Sequence, residues 1–299
     1  MKSKQNKKSK GKPLASRAAI RQRHSAAPFD LFTLNVGNTH TRMVGWSKRG
    51  YFDYLAWKTE GKRPGDWISF ITKKGRPNAP VVLAGVVPDY KEELATLLRS
   101  AERHVLVFRE DLIPCIEIVP APPECVGDDR IAAALGALSM DDTRPWVVVD
   151  VGTAMTVNAV TPGKKGNPPR FEGGLIIPGS ATSLFALSEC TSQLPLLEPF
   201  STSLNGPLDS RFIGRDTKEA MILGVWHAQI ASAIALAKGQ MLELGRGSRV
   251  ALTGGGSEEG GFNLEFLRAF PAGKVLCFTE LVHLGLFSMW KAREATKKI

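Results

Sequence analysis

Two short polar turns hold the residues of this chain best placed to do chemistry. The first is Asn35-Val36-Gly37-Asn38-Thr39-His40-Thr41 and the second is Asp150-Val151-Gly152-Thr153-Ala154-Met155-Thr156. Each offers an acid or amide, a glycine and a hydroxyl or amide between two apolar runs. Backbone N–H groups and hydroxyls in such a turn can surround a polyanion, and the carboxylate of Asp150 is placed to hold its cation. A single turn of this kind reads first as a plain hairpin, because Gly and Asn are the default residues for φ > 0. Two matched turns 115 residues apart, with Thr41 aligned to Thr156, form a repeated device, and Gly254-Gly255-Gly256 add a third glycine cluster after a late strand.

The elements that must position these turns follow from patterning. Phe29 to Leu34 and Arg42 to Trp46 read as strands around the first turn, with a third strand over Tyr51 to Trp57. A helix surrounds Asp66 to Thr72, and Pro80 to Val87 is a buried strand by its continuous β-branched content. Tyr90 to His104 has helical spacing, Val105 to Phe108 is a strand, and Gly127 to Leu138 is an Ala-rich helix with acids in its first turn. After Pro145 the order restarts: a strand over Trp146 to Val149, the second turn, then a strand over Val157 to Val160. A helix from Ala181, a long apolar helix from about Asp216 to Leu242, a strand over Arg249 to Leu252 and a closing helix from Leu284 complete the chain. The repeat has the length of a domain.

The expected fold is therefore α/β. It has two ribonuclease H-like lobes with an interlobe nucleotide cleft, the layout of actin-like ATPases, heat-shock chaperones and sugar kinases. Residues 1–28 form a basic tail expected to be disordered, 29–145 the N-terminal lobe and 146–299 the C-terminal lobe. One turn from each lobe would grip phosphates, and the late glycines would let adenosine approach the backbone. Neither G-x-x-x-x-G-K-[ST] nor G-x-G-x-x-G occurs, which excludes a P-loop and a dinucleotide fingerprint.

Further segments narrow the reading. Val126-Gly127-Asp128-Asp129-Arg130, Gly173 to Gly179 (G-G-L-I-I-P-G), Ile213-Gly214-Arg215-Asp216-Thr217, Ala84 to Pro88 (A-G-V-V-P) and Leu281 to Leu286 accompany the two turns. In order and spacing the set resembles type III pantothenate kinase from roughly Leu31 to Phe287. The resemblance implies phosphoryl transfer from ATP to pantothenate, the first step toward coenzyme A, in a homodimer using Mg2+ and a monovalent cation (K+ or NH4+). It implies Asp129 as the base, Gly127, Asp128, Arg130 and Thr217 as substrate contacts, and Asp150 as the metal ligand. Asn35, Val36, Gly37, Asn38, Thr39, His40, Thr41, Arg42 and Thr153 would form the ATP site. By residue type alone, Asp128 and Asp129 also fit a helix N-terminus, Thr217 a first-turn residue and His40 an exposed turn.

Three positions depart from the family pattern. Asn35 stands where the first turn carries Asp, which lowers the negative charge offered to a hard cation. Pro120 replaces a Tyr of the substrate pocket, and Asp128 replaces a small residue and sets a like charge beside Asp129. An active kinase that tolerates Asn35 and a nearly inactive nucleotide-binding relative with a regulatory role both fit. A different kinase on the same fold is a third reading.

Charge adds little about the folded body. Of 39 Lys and Arg, nine precede Asp30 with no acid among them, leaving 30 bases against 29 acids. Of the formal charge of +10, +9 thus belongs to the tail, where weak nucleic-acid contact is conceivable, and +1 to the body, which is not a nucleic-acid platform on charge alone. No apolar run is expected to approach the roughly 20 residues of a membrane span. Cys115, Cys125, Cys190 and Cys277 show no C-x-x-C pair and read as reduced thiols of a cytoplasmic protein. His227 reads as a core or dimer-boundary residue. The long helix, apolar all round, predicts burial on more than one side and hence a subunit interface.

Overall fold

The computed structural model describes residues 21–22, 28–47, 51–61, 63–164, 166–198, 211–245 and 247–296. The first sheet comprises β1 (Arg21–Gln22), β2 (Leu31–Val36), β3 (His40–Trp46), β4 (Tyr51–Lys58), β5 (Val81–Gly85) and β6 (Val105–Val107), in the order β1-β4-β3-β2-β5-β6. The second comprises β7 (Glu117–Ile118), β8 (Trp146–Val151), β9 (Ala154–Thr161), β10 (Arg170–Pro178), β11 (Arg249–Thr253) and β12 (Val275–Cys277), in the order β12-β11-β8-β9-β10-β7. Without the short edge strands β1 and β7 the sheets are the same. Each has an antiparallel meander whose first strand runs parallel to two later ones. The repeat in the sequence is thus a repeat of ribonuclease H-like sheets.

Among the described residues, seven α-helices cover the sheets: α1 (Pro64–Lys74), α2 (Pro88–Ser100), α3 (Asp128–Met140), α4 (Ser180–Cys190), α5 (Thr217–Leu244), α6 (Phe262–Arg268) and α7 (Leu281–Thr296). Strand periodicity sorts the core. Phe32, Leu34 and Val36 pack with Trp67, Ile71, Tyr90 and Leu94 of α1 and α2. Val147, Val149 and Val151 pack with Trp226, Ile230, Phe262 and Phe266 of α5 and α6. The opposite faces, with Leu31, Val44 and Trp46 on one sheet and Trp146 and Val148 on the other, meet around α3 and α7. Both faces of each sheet are therefore covered, which explains why these strands read as continuous apolar runs.

The central layer depends on small residues. A Cβ on Gly285 of α7 would overlap the carbonyl oxygen of Ala132, and one on Gly136 of α3 would overlap that of Leu281. The helices touch backbone to backbone, closer than the 8–10 Å usual for helix axes would allow with larger side chains.

Several expectations need correction. The G-G-L-I-I-P segment forms β10, whose glycines hid its strand character, and α6 and β12 were not anticipated. The first is only seven residues and the second three. Helix α2 stops at Ser100 rather than His104, and α7 begins at Leu281, before Leu284. Arg21–Gln22, inside the tail expected to be disordered, pair in parallel with Tyr51 and Phe52, because the edge of β4 offers unpaired backbone groups. The rest of that expectation, up to residue 27, lies outside the described residues. Helix α5 is long and apolar enough to cross a membrane by length and composition, contrary to the expectation from apolar runs. One stripe of it, including Trp226, Ile230, Ala233 and Ala237, is packed on the second sheet.

Candidate functional site

Both polar turns sit at the C-terminal ends of central strands. Asn35 shares parity with Leu31, and Asp150 with Trp146 and Val148, so both side chains belong to the faces that look toward α3 and α7. The turns differ in length. Asn35 pairs with Arg42 and Val36 with Thr41, whereas Asp150 pairs with Thr156 and Val151 with Met155. The first turn is therefore one residue longer, and Thr156 corresponds to Arg42 rather than to Thr41. An ungapped sequence comparison could not register that slip.

Each turn is held from behind by residues that follow the third strand of its own lobe. After β4, Thr59 donates Oγ1 to Gly37 O (2.6 Å) and N to Thr39 O (2.8 Å), and its hydroxyl meets Thr41 Oγ1 (3.1 Å). After β10, Gly179 N and Thr182 Oγ1 both bond Thr153 O, at 2.9 and 2.7 Å. The tips of the turns then meet across the cleft, with Thr39 Oγ1 2.6 Å from Thr153 Oγ1. Asn38, Thr39, Gly152 and Thr153 are exposed there.

Asp129, in the first turn of α3, comes to the same place. Its Oδ1 accepts Arg130 N at 2.8 Å, and burial raises its pKa, with Arg130 opposing and Asp128 adding a smaller upward push. Asp150 is pushed up to about 7, first by burial and then by the charge of Asp129. Two carboxylates from different elements thus face one electrostatic environment, a pattern that marks functional sites more often than structural ones. A Cβ on Gly254, whose φ is 87°, would overlap Asp150 Oδ1, so the third glycine cluster closes on the acid itself. Gly255 beside it faces open space.

Arg130 reaches Asn158, donating Nε and Nη2 to Oδ1 at 2.8 and 2.6 Å, and its guanidinium lies over the Phe171 ring. Asn158 in turn donates to Thr156 Oγ1 (2.9 Å). Asn158 is buried in an apolar strand, and that polar interruption was the available sequence signal for it. Thr59 gave none, because a threonine ending a strand is ordinary.

Other expected site residues are engaged elsewhere. Val36 is buried in the outer core of the first lobe. Arg42 pairs with Glu280 before α7 and lies over the Tyr54 ring. His40 is exposed, and partial desolvation, then Arg42 and Lys58, lower its pKa from the usual value. Gly127 leaves room for the Asp129 carboxylate. Asp128 faces Lys91 (3.5 Å) and Arg109 (3.8 Å). Thr217 is exposed in the first turn of α5, after the cap Asp216, and takes no part in the hydrogen bonds joining Arg130, Asn158 and Thr156. Pro120 lies beside Gly173 of β10. His227 Nε2 bonds Arg211 O at 2.6 Å and its ring stacks on Phe212. The four cysteines are free thiols.

Paired ribonuclease H-like lobes with matched turns across a cleft define the actin-like ATPase and sugar kinase class of fold. A family model for type III pantothenate kinase matches residues 31–238. The chain belongs to the type III pantothenate kinase family. It is 30% identical over 234 residues to the type III pantothenate kinase of Caulobacter vibrioides, covering 75% of this chain and 85% of that one. Against the Desulfotalea psychrophila relative, identity is 29% over 245 residues, with 75% and 86% covered. A solved Campylobacter jejuni chain, described as belonging to the Baf family of transcriptional activators, superposes with a TM-score of 0.53 at 19% identity. That match covers 89% of this chain and all of the other, and shows the fold.

Proposed function

We propose that this chain transfers the terminal phosphoryl group of ATP to the hydroxyl of pantothenate, with Asp129 accepting the hydroxyl proton. The observation that carries the reading is the convergence of Asp129 and Asp150 below two phosphate-binding turns that meet at Thr39 and Thr153. Phosphoryl transfer asks chiefly for alignment and charge stabilisation. The turns supply N–H groups and hydroxyls to the phosphates, Arg130 is available to the acidic substrate, and burial of Asp129 favours the proton-accepting role.

Asp150 and Asn35 are the residues suited to hold Mg2+. Asn35 Oδ1 is buried without a hydrogen-bond partner, and Asp150 holds the corresponding position on β8, closed on by Gly254. Mg2+ needs few protein ligands, because it keeps several waters and shares phosphate oxygens. Bound there, Mg2+ would neutralise charge on the transferred group. A monovalent cation belongs to the same reading, as do a cytoplasmic location and a homodimer built on the outer face of α5. On that face Ala220, Gly224, Ala228, Ala231 and Ala235 are exposed, alongside Phe212 (79%) and Leu242 (82%).

Asn35 supports a second reading, a nearly inactive nucleotide-binding regulator, because it supplies no charge to the cation. ATP turnover with pantothenate by the purified chain separates the two. Phosphopantothenate from the natural protein, lost by about 100-fold or more in Asp129→Ala, is the expected result. Product from Asn35→Asp alone would establish the regulator instead. Preference for another acceptor alcohol would point to a different kinase on this fold.

A further inference from the structure

The helix that carries Asp129 begins without a side-chain cap, because Gly127 precedes it. The approach to it, residues 119–126, contains only a 3-10 turn at Pro123–Cys125. Something else must set the height and rotation of Asp129. We propose that Arg109, acting with Asp128 and Lys91, is the clamp that positions Asp129, a role that rests on reading Asp129 as the base.

The Arg109 guanidinium donates Nη1 to Val126 O (2.7 Å) and Nη2 to Pro123 O (3.0 Å), and Nη1 lies 3.8 Å from Asp128 Oδ1. Asp128, 9% exposed, receives Lys91 Nζ at 3.5 Å and Gly85 N at 3.4 Å on its other oxygen. Three elements of the first lobe, namely α2, the end of β5 and the loop after β6, are thus tied to the residue beside the base. One planar guanidinium can hold two carbonyls and approach a carboxylate at fixed angles, which a lysine ammonium cannot reproduce.

Arg109 also adopts φ 69°, a left-handed conformation uncommon outside glycine. It is kept there by its N–H bond to Leu112 O (2.9 Å) and by the buried Phe108 that precedes it. Such conformations persist where the surroundings over-determine them, often at functional sites. The neighbouring acids divide the work: Asp128 turns to the cations Lys91 and Arg109, while Asp129 faces Arg130 and Asp150. The acid that departs from the family pattern is therefore a tether rather than a substrate contact.

The test is a double-variant cycle on the full chain. Arg109→Met should lower kcat by about 10- to 100-fold, the scale of a misplacement of about 1 Å at a reacting group. The dissociation constant for ATP should stay within about twofold, since the phosphate turns are untouched. In an Asp129→Ala background, Arg109→Met should slow the residual rate no further, because groups acting through one another are not additive. Lys91→Met, at a partly exposed position, should show the same pattern more weakly. Unchanged kcat in Arg109→Met, or an equal further loss in the Asp129→Ala background, would overturn the clamp alone. Full turnover by Asp129→Ala would overturn the base and the clamp with it.

Discussion

Glu280 and His283 show how single residues set the pH response of the free protein. They lie 4.0 Å apart at the junction of the lobes, with Arg42 on Glu280 and Thr33 Oγ1 on His283 Nδ1 (2.9 Å). Burial pushes Glu280 up to about 7, against the pull of Arg42 and with a smaller push from Glu258. Burial, with Arg42 adding, pushes His283 down to about 3. The unfolded chain ionises Glu280 first, so its contribution to stability falls as pH climbs from about 4.5 to 7. It also protonates His283 first, so that contribution falls as pH drops from about 6.5 toward 3. Between roughly pH 4.5 and 6.5 the two slopes oppose each other, each at most about 1.4 kcal/mol per pH unit. Relative to the natural protein, in which Asp150 also lowers stability as pH climbs, Glu280→Gln should tilt the Tm profile upward with pH across this window and His283→Gln should tilt it downward. Parallel curves for both variants and the natural protein would refute the assignment.

At the same scale, the sequence exposed the acids and hid their directions. Asn35, Asp129 and Asp150 were legible because two turns and a helix start carry unusual residues at matched spacing. Arg42 and Asp128 were legible as charges only, since their partners Glu280, Lys91 and Arg109 come from distant segments. Thr59 was hidden because its three bonds are made to backbone and a hydroxyl of another strand.

Thr59 and the glycines of the central layer act through whole elements. Thr59→Val keeps shape and the backbone bond to Thr39 O but removes the two hydroxyl contacts that hold the first turn, so ATP binding should weaken by about 10-fold, the loss of roughly one hydrogen bond. Thr59→Ser should restore most of it, and titration with a fluorescent ATP analogue reads the difference. Equal affinities in Val and Ser variants would show that the hydroxyl is idle. Gly285→Ala forces α3 and α7 apart and should cost about 3 kcal/mol or more in denaturant unfolding. A cost below about 1 kcal/mol would mean that the helices can separate without loss. The strands and long helices were readable because their apolar runs are continuous, whereas β10 was not, because Gly173 and Gly174 interrupt it beside a bulge. The α3–α7 contact could not be read from Ala-rich periodicity, which shows that a helix is buried without naming its partner.

For the whole molecule, the outer face of α5 predicts association. Sedimentation at micromolar concentration should give a dimer, and Ala231→Lys on the exposed face of α5 should shift it toward monomer while leaving the fold intact by circular dichroism. A natural chain that sediments as a monomer would remove α5 as an interface. The basic segment before residue 28 holds nearly all the net charge, and its deletion should leave turnover intact while reducing salt-sensitive binding to polyanions.

Helix α7 has a consequence for the order in which the protein can be completed. It is the last described element, yet it packs on β2 and β5, and Phe287 stacks on Trp46 at 4.8 Å. During synthesis the inner face of the first sheet is therefore covered by α3 alone, with part of its apolar surface waiting until residues 281–296 have left the ribosome. A nascent chain arrested after residue 145 should bind hydrophobic dyes and resist native-like protection, and gain it only when residues 281–296 are added.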